Sequence, residues 1–412
     1  MAYHVIDEAK RCLQCKRPGC SKGCPVSTQV PEIIKMLLDG KIKDAGELLF
    51  SNNPLSLVCS YVCEHEKQCE GNCVLNRTGK TIHVSSIENY ISGYYLNLKQ
   101  KEIPKPTKAK VGIIGSGPAG ITIAIILAGK GYDITIFEAN DKIGGIMMYG
   151  IPEFRLPKTV LERYKEILLG MGIKIRPNTV IGSGGGLSID DLFRDGYKAI
   201  FVGTGVWKPN TLRIKGESLG NSHFAINYLK NPDTYNLGEK VAIIGAGNVA
   251  MDVARTALRK GAREVTVYFR RTEEFLTASK YELEYAKMDG VKFEFLKSPV
   301  EIVDKGVIFA DTVWNDEEAT FVPDSEKLYE ADSVIISVSQ GPRNYIAAST
   351  QGLELSNKGL IVTNEYGGTT KPGVFASGDV VTGAKTVVEA VNISKKVASA
   401  IEEYLEGINN EK

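Results

Sequence analysis

The sequence predicts an α/β protein in which a helical N-terminal segment precedes two Rossmann-like dinucleotide-binding units. Three observations carry that expectation. All eight cysteines fall between Cys12 and Cys73. Beyond them the pattern changes to alternating buried strands and helices. One strand–glycine–helix motif then occurs twice, as Gly115-Ser-Gly117-Pro118-Ala119-Gly120 and as Gly245-Ala-Gly247-Asn248-Val249-Ala250.

The 412 residues exceed what one ordinary core organises, so two or three domains are expected. Fifty basic against 49 acidic residues leave a formal charge of +1, which supplies no overall field for nucleic acid or an anionic membrane. The opening MAYHVIDEAKRC has no apolar signal core, and the longest apolar stretch, Ile121 to Gly129, falls far short of a membrane span. A cytoplasmic location, with neither nucleic acid nor membrane as partner, is therefore expected. Clustered cysteines in that compartment point to bound metal rather than disulfides.

Within the first hundred residues, Pro31 to Leu38 reads as a helix with proline in its first turn, ended near Gly40. Ala45 to Phe50 reads as a second short helix before Asn53-Pro54. The stretch Ile103 to Lys110, rich in proline and lysine, reads as a linker. After it, Val111–Gly115, Ala119–Gly129 and Asp133–Phe137 form a strand, helix and strand. The pattern returns at Val241–Gly245, Val249–Arg259 and Glu264–Phe269. A duplicated nucleotide-binding unit implies two dinucleotides.

Glycines after a strand let the backbone approach a pyrophosphate, and the following helix N-terminus favours its charge. In the first unit the second strand ends at Glu138, placed to accept from a ribose. In the second unit the corresponding position is Tyr268, followed by Phe269-Arg270-Arg271. Loss of the acid and gain of two arginines favours a ribose 2′-phosphate, hence NADPH over NADH. A solvated basic turn is the alternative, with Glu273 and Glu274 close by.

The cysteines form two groups, Cys12-x2-Cys15-x4-Cys20-x3-Cys24-Pro25 and Cys59-x3-Cys63-x5-Cys69-x3-Cys73. A run closing in cysteine-x3-cysteine-proline is that of bacterial ferredoxin segments, where the fourth cysteine serves another cluster. Structural zinc is the alternative. No cysteine follows Cys73, which removes the redox Cys-x-x-Cys that a thioredoxin-reductase-like enzyme carries in its nucleotide domains. The four histidines, His4, His65, His83 and His223, have no partner legible in the sequence and read as surface or packing residues. No nucleophile or base is expected, because the cofactors carry the chemistry.

Longer strings point further: Asn53-Pro54-Leu55 to Cys73, the first glycine motif, Gly144-Gly145, Gly150 to Pro157, Gly245 to Asp252, Phe375 to Asp379, and Lys385-Thr386-Val-Val-Glu389-Ala. Over essentially the whole chain the sequence resembles the flavin and iron–sulfur electron-input family. That family is shared by the glutamate synthase small subunit and the N-terminal half of dihydropyrimidine dehydrogenase, and the layout is most similar to the small subunit of the bacterial dihydropyrimidine enzyme. The resemblance implies FAD, NADPH (NADH possible) and two [4Fe–4S] clusters. It implies a helical cluster domain at 1–104, a FAD domain split over 105–235 and 341–412, and an NAD(P)H domain inserted at 236–340. Cys12, Cys15, Cys20 and Cys73 would hold one cluster, and Cys24, Cys63 and Cys69 the other. Glu88 stands where the dihydropyrimidine enzyme uses glutamine, which leaves Glu88 or Cys59 as fourth ligand. Gly144, Gly145, Arg155, Gly205, Gly378, Asp379 and Thr386 join the glycine loops as cofactor contacts. Gly203 to Gly205 and Ser339 to Pro342 would be the crossings between domains. Electrons would leave for a separate catalytic subunit with its own FMN and clusters. The alternative partners are those of glutamate synthase or a ferredoxin-linked transhydrogenase.

Overall fold

The computed structural model describes residues 4–98, 106–182, 186–315 and 319–410. Residues 103–105 of the expected linker lie outside them. The chain forms two compact units, one of residues 1–148, 153–206 and 342–412, the other of 149–152 and 207–341.

In the first unit the N-terminal segment folds as six helices: α1 (Val5–Lys10), α2 (Gly19–Gly23), α3 (Val30–Leu38), α4 (Ile42–Asn52), α5 (Ser56–Val62) and α6 (Val84–Leu98). The apolar faces of α1, α3, α4 and α6 share one core with Cys69, and Cys12, Cys20 and Cys73 pack at its edge. Two buried acids fasten the loops. Glu8 binds the Arg11 guanidinium at 2.7 Å and accepts from the His83 N–H. Glu70 accepts from the N–H and hydroxyl of Ser85 at the start of α6.

The chain continues through β1 (Lys110–Ile114), α7 (Pro118–Gly129), β2 (Asp133–Phe137), α8 (Ile146–Tyr149), α9 (Lys158–Gly170), β3 (Lys174–Arg176), α10 (Ile189–Arg194) and β4 (Ala199–Val202). It then enters the second unit: β5 (Lys208–Pro209), β6 (Ser222–Phe224), α11 (Ala225–Lys230), β7 (Lys240–Ile244), α12 (Asn248–Arg259), β8 (Glu264–Phe269), α13 (Lys280–Met288) and β9 (Lys292–Phe295). Strands β10 (Lys297–Val303), β11 (Gly306–Trp314), β12 (Ala319–Phe321), β13 (Lys327–Glu330), β14 (Ser333–Ile336) and β15 (Gln340–Gly341) follow. The return to the first unit supplies α14 (Tyr345–Ala348), β16 (Val374–Ala376), α15 (Asp379–Thr382) and α16 (Val387–Asn410).

Each unit holds a five-stranded parallel sheet, ordered β16-β4-β1-β2-β3 in the first and β6-β14-β7-β8-β9 in the second. Parallel strands need crossovers, and right-handed strand–helix–strand connections provide them. The second unit adds an antiparallel sheet in which β11 pairs with β10, β12 and β13. Strand β6 is hydrogen-bonded to β14, and β5 pairs with β15. Residues 207–235, expected with the flanking halves, therefore stand in the second unit.

Within the first unit, helical segment and sheet are tied directly. Arg163 on α9 donates to the Gly93 carbonyl and to Asn97, and Lys395 on α16 donates to Asn52 at 2.7 Å. Tyr164, fully buried on α9, lies near Cys59 and Glu88; burial chiefly, and then those charges, push its phenol upward.

Candidate cofactor-binding sites

The first glycine loop leaves β1 at Gly115, whose φ of +97° a side chain rarely adopts. A Cβ there would stand 2.7 Å from the Gly203 carbonyl oxygen, and one at Gly120 would run into the Gly115 carbonyl. Gly117, by contrast, has no neighbour nearer than 3.9 Å to such a Cβ, so the turn is open on that side. Pro118 and Ala119 begin α7, whose first N–H groups have no side-chain cap. Such a helix start is built to receive an anion.

Glu138 follows β2 and is almost fully buried. One oxygen accepts from the N–H and hydroxyl of Ser116 (2.9 and 2.5 Å), the other from the N–H and amide of Asn140 (both 2.8 Å). The carboxylate is thus oriented by the glycine loop it serves. The Gly144 N–H donates to the Ser116 carbonyl and hydroxyl, and a Cβ on Gly145 would meet the Gly117 Cα at 2.9 Å. A Cβ on Gly378 would stand 3.1 Å from that of Ala119. Asp379 accepts from the Lys385 N–H, and burial raises its carboxyl to about 6. Thr386 caps α16, its N–H and hydroxyl donating to Glu389, and α16 packs along α7. Residues 115–120, 138, 144–145 and 378–379 therefore meet around one helix start. Arg155 is half-buried in the loop before α9, and Gly205 follows β4 with φ +69°.

The second loop repeats the turn. Gly245 has φ +119°, and a Cβ there would run into the Ser337 carbonyl. Gly247 precedes an uncapped α12, within which Val249 is half-buried and Ala250 fully buried. The Asn248 side chain accepts from the Ser279 N–H, which fastens the 277–279 segment beside the loop.

The strand register corrects one sequence expectation. Ile114 pairs with Phe137, and Ile244 pairs with Tyr268. The counterpart of Glu138 is therefore Phe269, not Tyr268, because the turn between α12 and β8 holds one more residue than that between α7 and β2. Tyr268 instead faces the antiparallel sheet, stacked on Phe309 at 4.3 Å. Arg270 is exposed, while Arg271 lies over the Trp314 ring at 4.4 Å, with Phe275 on the same indole at 5.0 Å. Glu273 is engaged by Lys287, and among the described residues neither arginine is paired with an acid. The pairs Arg271–Trp314 and Asn248–Ser279 were not legible, because their members are 43 and 31 residues apart and no local pattern joins them.

All eight cysteines are free thiols. Cys12, Cys15, Cys20 and Cys73 line one cavity with Leu13, Val30, Ile34, Val74 and Ile82. Burial raises Cys12, and raises Cys20 to about 11. In the second group Cys63 is hydrogen-bonded to the buried Cys59 and lies near Glu88 and Cys69, while Cys69 lies near Glu88, Glu70 and Cys24. The hydrogen bond to Cys59 and burial hold Cys63 well above its usual value; burial does so for Cys69 and lifts Glu88 to about 8. Among the described residues no three such side chains close on a single metal-ion position. Thiols raised by apolar burial fit a group that brings positive iron, since metal binding compensates the charge that burial penalises.

Comparison with known proteins agrees in both parts. Residues 109–394 match the pyridine nucleotide-disulphide oxidoreductase family, and residues 2–100 match dihydropyrimidine dehydrogenase domain II, 4Fe-4S cluster. The NADPH glutamate synthase small chain of Escherichia coli K12 is 33% identical over 97% of this chain and 91% of its own. The NAD-dependent dihydropyrimidine dehydrogenase subunit PreT of Salmonella typhimurium is 33% identical over 98% and 94%. Mycobacterium tuberculosis FprA, solved in complex with NADPH, shares the fold at 18% identity, with a TM-score of 0.62 over 74% of this chain and 86% of that one. The chain thus belongs to the pyridine nucleotide-disulphide oxidoreductase family, as an oxidoreductase subunit with an N-terminal 4Fe–4S segment of the dihydropyrimidine dehydrogenase type.

Proposed function

We propose that the protein is an NAD(P)H-oxidising electron-input subunit that uses FAD and two [4Fe–4S] clusters to supply a separate catalytic subunit. The observation that carries this reading is the presence of two glycine loops of one build, the first in the same compact unit as the cysteine-lined cavity. When bound, the flavin accepts a two-electron hydride and releases electrons singly to clusters that carry one each. The chain's own residues bind and orient. The loop at 115–120, with Glu138, Gly144–Gly145, Gly378–Asp379 and Thr386, would hold FAD. The loop at 245–250, with Arg270 and Arg271, would hold the nicotinamide nucleotide and favour NADPH through its 2′-phosphate. Cys12, Cys15, Cys20 and Cys73 would hold one cluster, and Cys24, Cys63, Cys69 and Glu88 the second.

The proposed partner is an FMN- and iron–sulfur-containing dihydropyrimidine dehydrogenase subunit. Similarity to the NADPH glutamate synthase small chain over nearly the whole length favours that enzyme's large subunit as the second reading.

An anaerobic titration with NADPH and with NADH tests the reading, with iron, sulfide and flavin assayed on the same sample. About eight irons and one FAD, bleaching in sequence, are expected. Zinc in place of iron, or a flavin that reduces without onward transfer, overturns it. Reconstitution with each catalytic subunit, assayed with uracil or with glutamine and 2-oxoglutarate, separates the two partners.

A further inference from the structure

The whole chain is balanced in charge, but the surface over the first cysteine cavity is not. Residues 11–31 and 71–87 contain six lysines and arginines and no acid. The structure brings these two stretches together. Arg11 donates to the Lys80 and Thr81 carbonyls, and α2 packs so closely on Asn72 that a Cβ on Gly19 or Gly23 would collide with it. The ion pairs of this face use Arg11 with Glu8, His83 with Glu70, and Asp7 with Lys10 and His4. Among the described residues none uses Lys16, Arg17, Lys22, Arg77 or Lys80, and all five are exposed. Two large apolar side chains are exposed on the same two stretches: Leu13, 61% exposed, and Val74, 45% exposed. Each follows a cysteine of the cavity, and both line it.

An apolar centre within a rim of one sign is the build of a transient protein docking surface. Resting on the electron-input reading above, we infer that this face is where electrons leave, and that it docks a partner protein presenting a rim of carboxylates around its own redox centre. Leu13 and Val74 exclude water above the Cys12, Cys15, Cys20 and Cys73 set, while the five cations steer and orient the acidic partner. The balance is simple. Each NAD(P)H gives two electrons and releases NAD(P)+ and one proton, so two one-electron acceptors are reduced per nucleotide. An acidic protein surface is favoured over a polyanion, because exposed apolar side chains at the centre of the patch have no use against phosphates.

The test measures NADPH-driven reduction by the holoprotein of three acceptors: the acidic soluble domain of cytochrome b5, basic cytochrome c, and ferricyanide. The variant Lys16→Glu/Arg17→Glu/Arg77→Glu/Lys80→Glu is expected to lower kcat/KM for cytochrome b5 about tenfold or more at low ionic strength, and to raise it for cytochrome c. Ferricyanide, a small trianion that needs no docking face, slows only about two- to threefold. The fourfold glutamine variant keeps side-chain bulk and is expected to show the same order with a smaller effect. Binding of cytochrome b5, read by thermophoresis without electron flow, falls in parallel. Equal rates and affinities for wild type and both variants overturn the surface while leaving the electron-input reading standing. Tight binding to phosphatidylglycerol vesicles, lost on charge reversal with no change toward cytochrome b5, overturns it in favour of a membrane. A wild type that NADPH cannot reduce removes the functional reading, and thermophoresis then still decides the surface.

Discussion

The two glycine loops share a backbone and differ in what surrounds it. Both begin at a glycine with positive φ whose Cβ would strike a carbonyl of the neighbouring strand's exit, and both lead into a helix without a side-chain cap. In the first, the third glycine lies against the Gly115 carbonyl, whereas the second accommodates the methyl of Ala250 at the same place. Helix α7 is apolar on nearly every face, because sheet and α16 cover it together. Helix α12 is amphipathic, and its Arg255 is tied to Glu282 and Asp289 at 2.8 and 2.9 Å. At the ends of the second strands, one loop meets Glu138 and the other Phe269 with two arginines beyond. The glycine loop itself therefore makes the same turn in both units. On the reading proposed above, selectivity between nucleotides would come from the next strand's end and from the side chains that pack behind it.

The sharpest way to break the comparison is to exchange the third positions. Gly120→Ala is expected to cost about 3 kcal/mol, since the backbone must shift to admit the methyl. Ala250→Gly is expected to cost about 1 kcal/mol, the ordinary helix penalty. Urea unfolding of both reads the difference, and equal losses would mean that the two helices approach their strands alike.

Next in size is the strand end. Arg270→Gln/Arg271→Gln should weaken NADPH about 100-fold, near 3 kcal/mol, while leaving NADH within a few-fold. Trp314→Leu should give part of the same loss by releasing the Arg271 guanidinium. Nucleotide titrations decide, and parallel losses for NADPH and NADH would defeat the 2′-phosphate assignment.

Asp379 gives a pH signature that the second loop lacks. Its carboxyl is held at about 6 by burial against an ordinary 3.8, so the folded protein binds that proton more tightly than the unfolded chain. Its contribution to stability is therefore greatest below about pH 4, falls by about 3 kcal/mol as pH rises through 6, and is level above about pH 7. In flavin-free protein, Asp379→Asn should flatten this slope, raising stability at neutral pH and leaving it unchanged at pH 4. A slope that survives the substitution belongs to another group.

The smallest effect is at the cap of α16. Thr386→Val removes the hydroxyl that Glu389 accepts from and should cost about 1 kcal/mol, measured as a lowered Tm. NADPH affinity should not change, because α16 belongs to the first unit, packed on α7, α5 and β16, while the 245–250 loop belongs to the second.

The elements that bear chemistry were legible where the signal is local. Strands and helices around both glycine motifs fall within a residue or two of their expected bounds, because glycine punctuation and buried runs act over a few residues. The one-residue displacement from Tyr268 to Phe269 was not legible, since counting along the chain cannot see a longer turn that register reveals. Nor was the anchoring of Glu138 by Ser116 and Asn140, or the stacking of Arg271 on Trp314. The start of the second unit near 207 rather than 236 depends on β6 pairing with β14, residues more than a hundred positions away.

By itself, then, the sequence determined the fold class, the doubled glycine turn and the two runs of cysteines, because each is written in residue types at short, fixed spacing. Only the tertiary structure decided which side chains hold Glu138 and Arg271 in place. It set Cys73 beside Cys12, Cys15 and Cys20 around one cavity, a grouping that the family resemblance implied and residue spacing did not, and joined two acid-free stretches into one cationic face. Those arrangements depend on distant segments being buried against each other, and a linear pattern carries no measure of that distance.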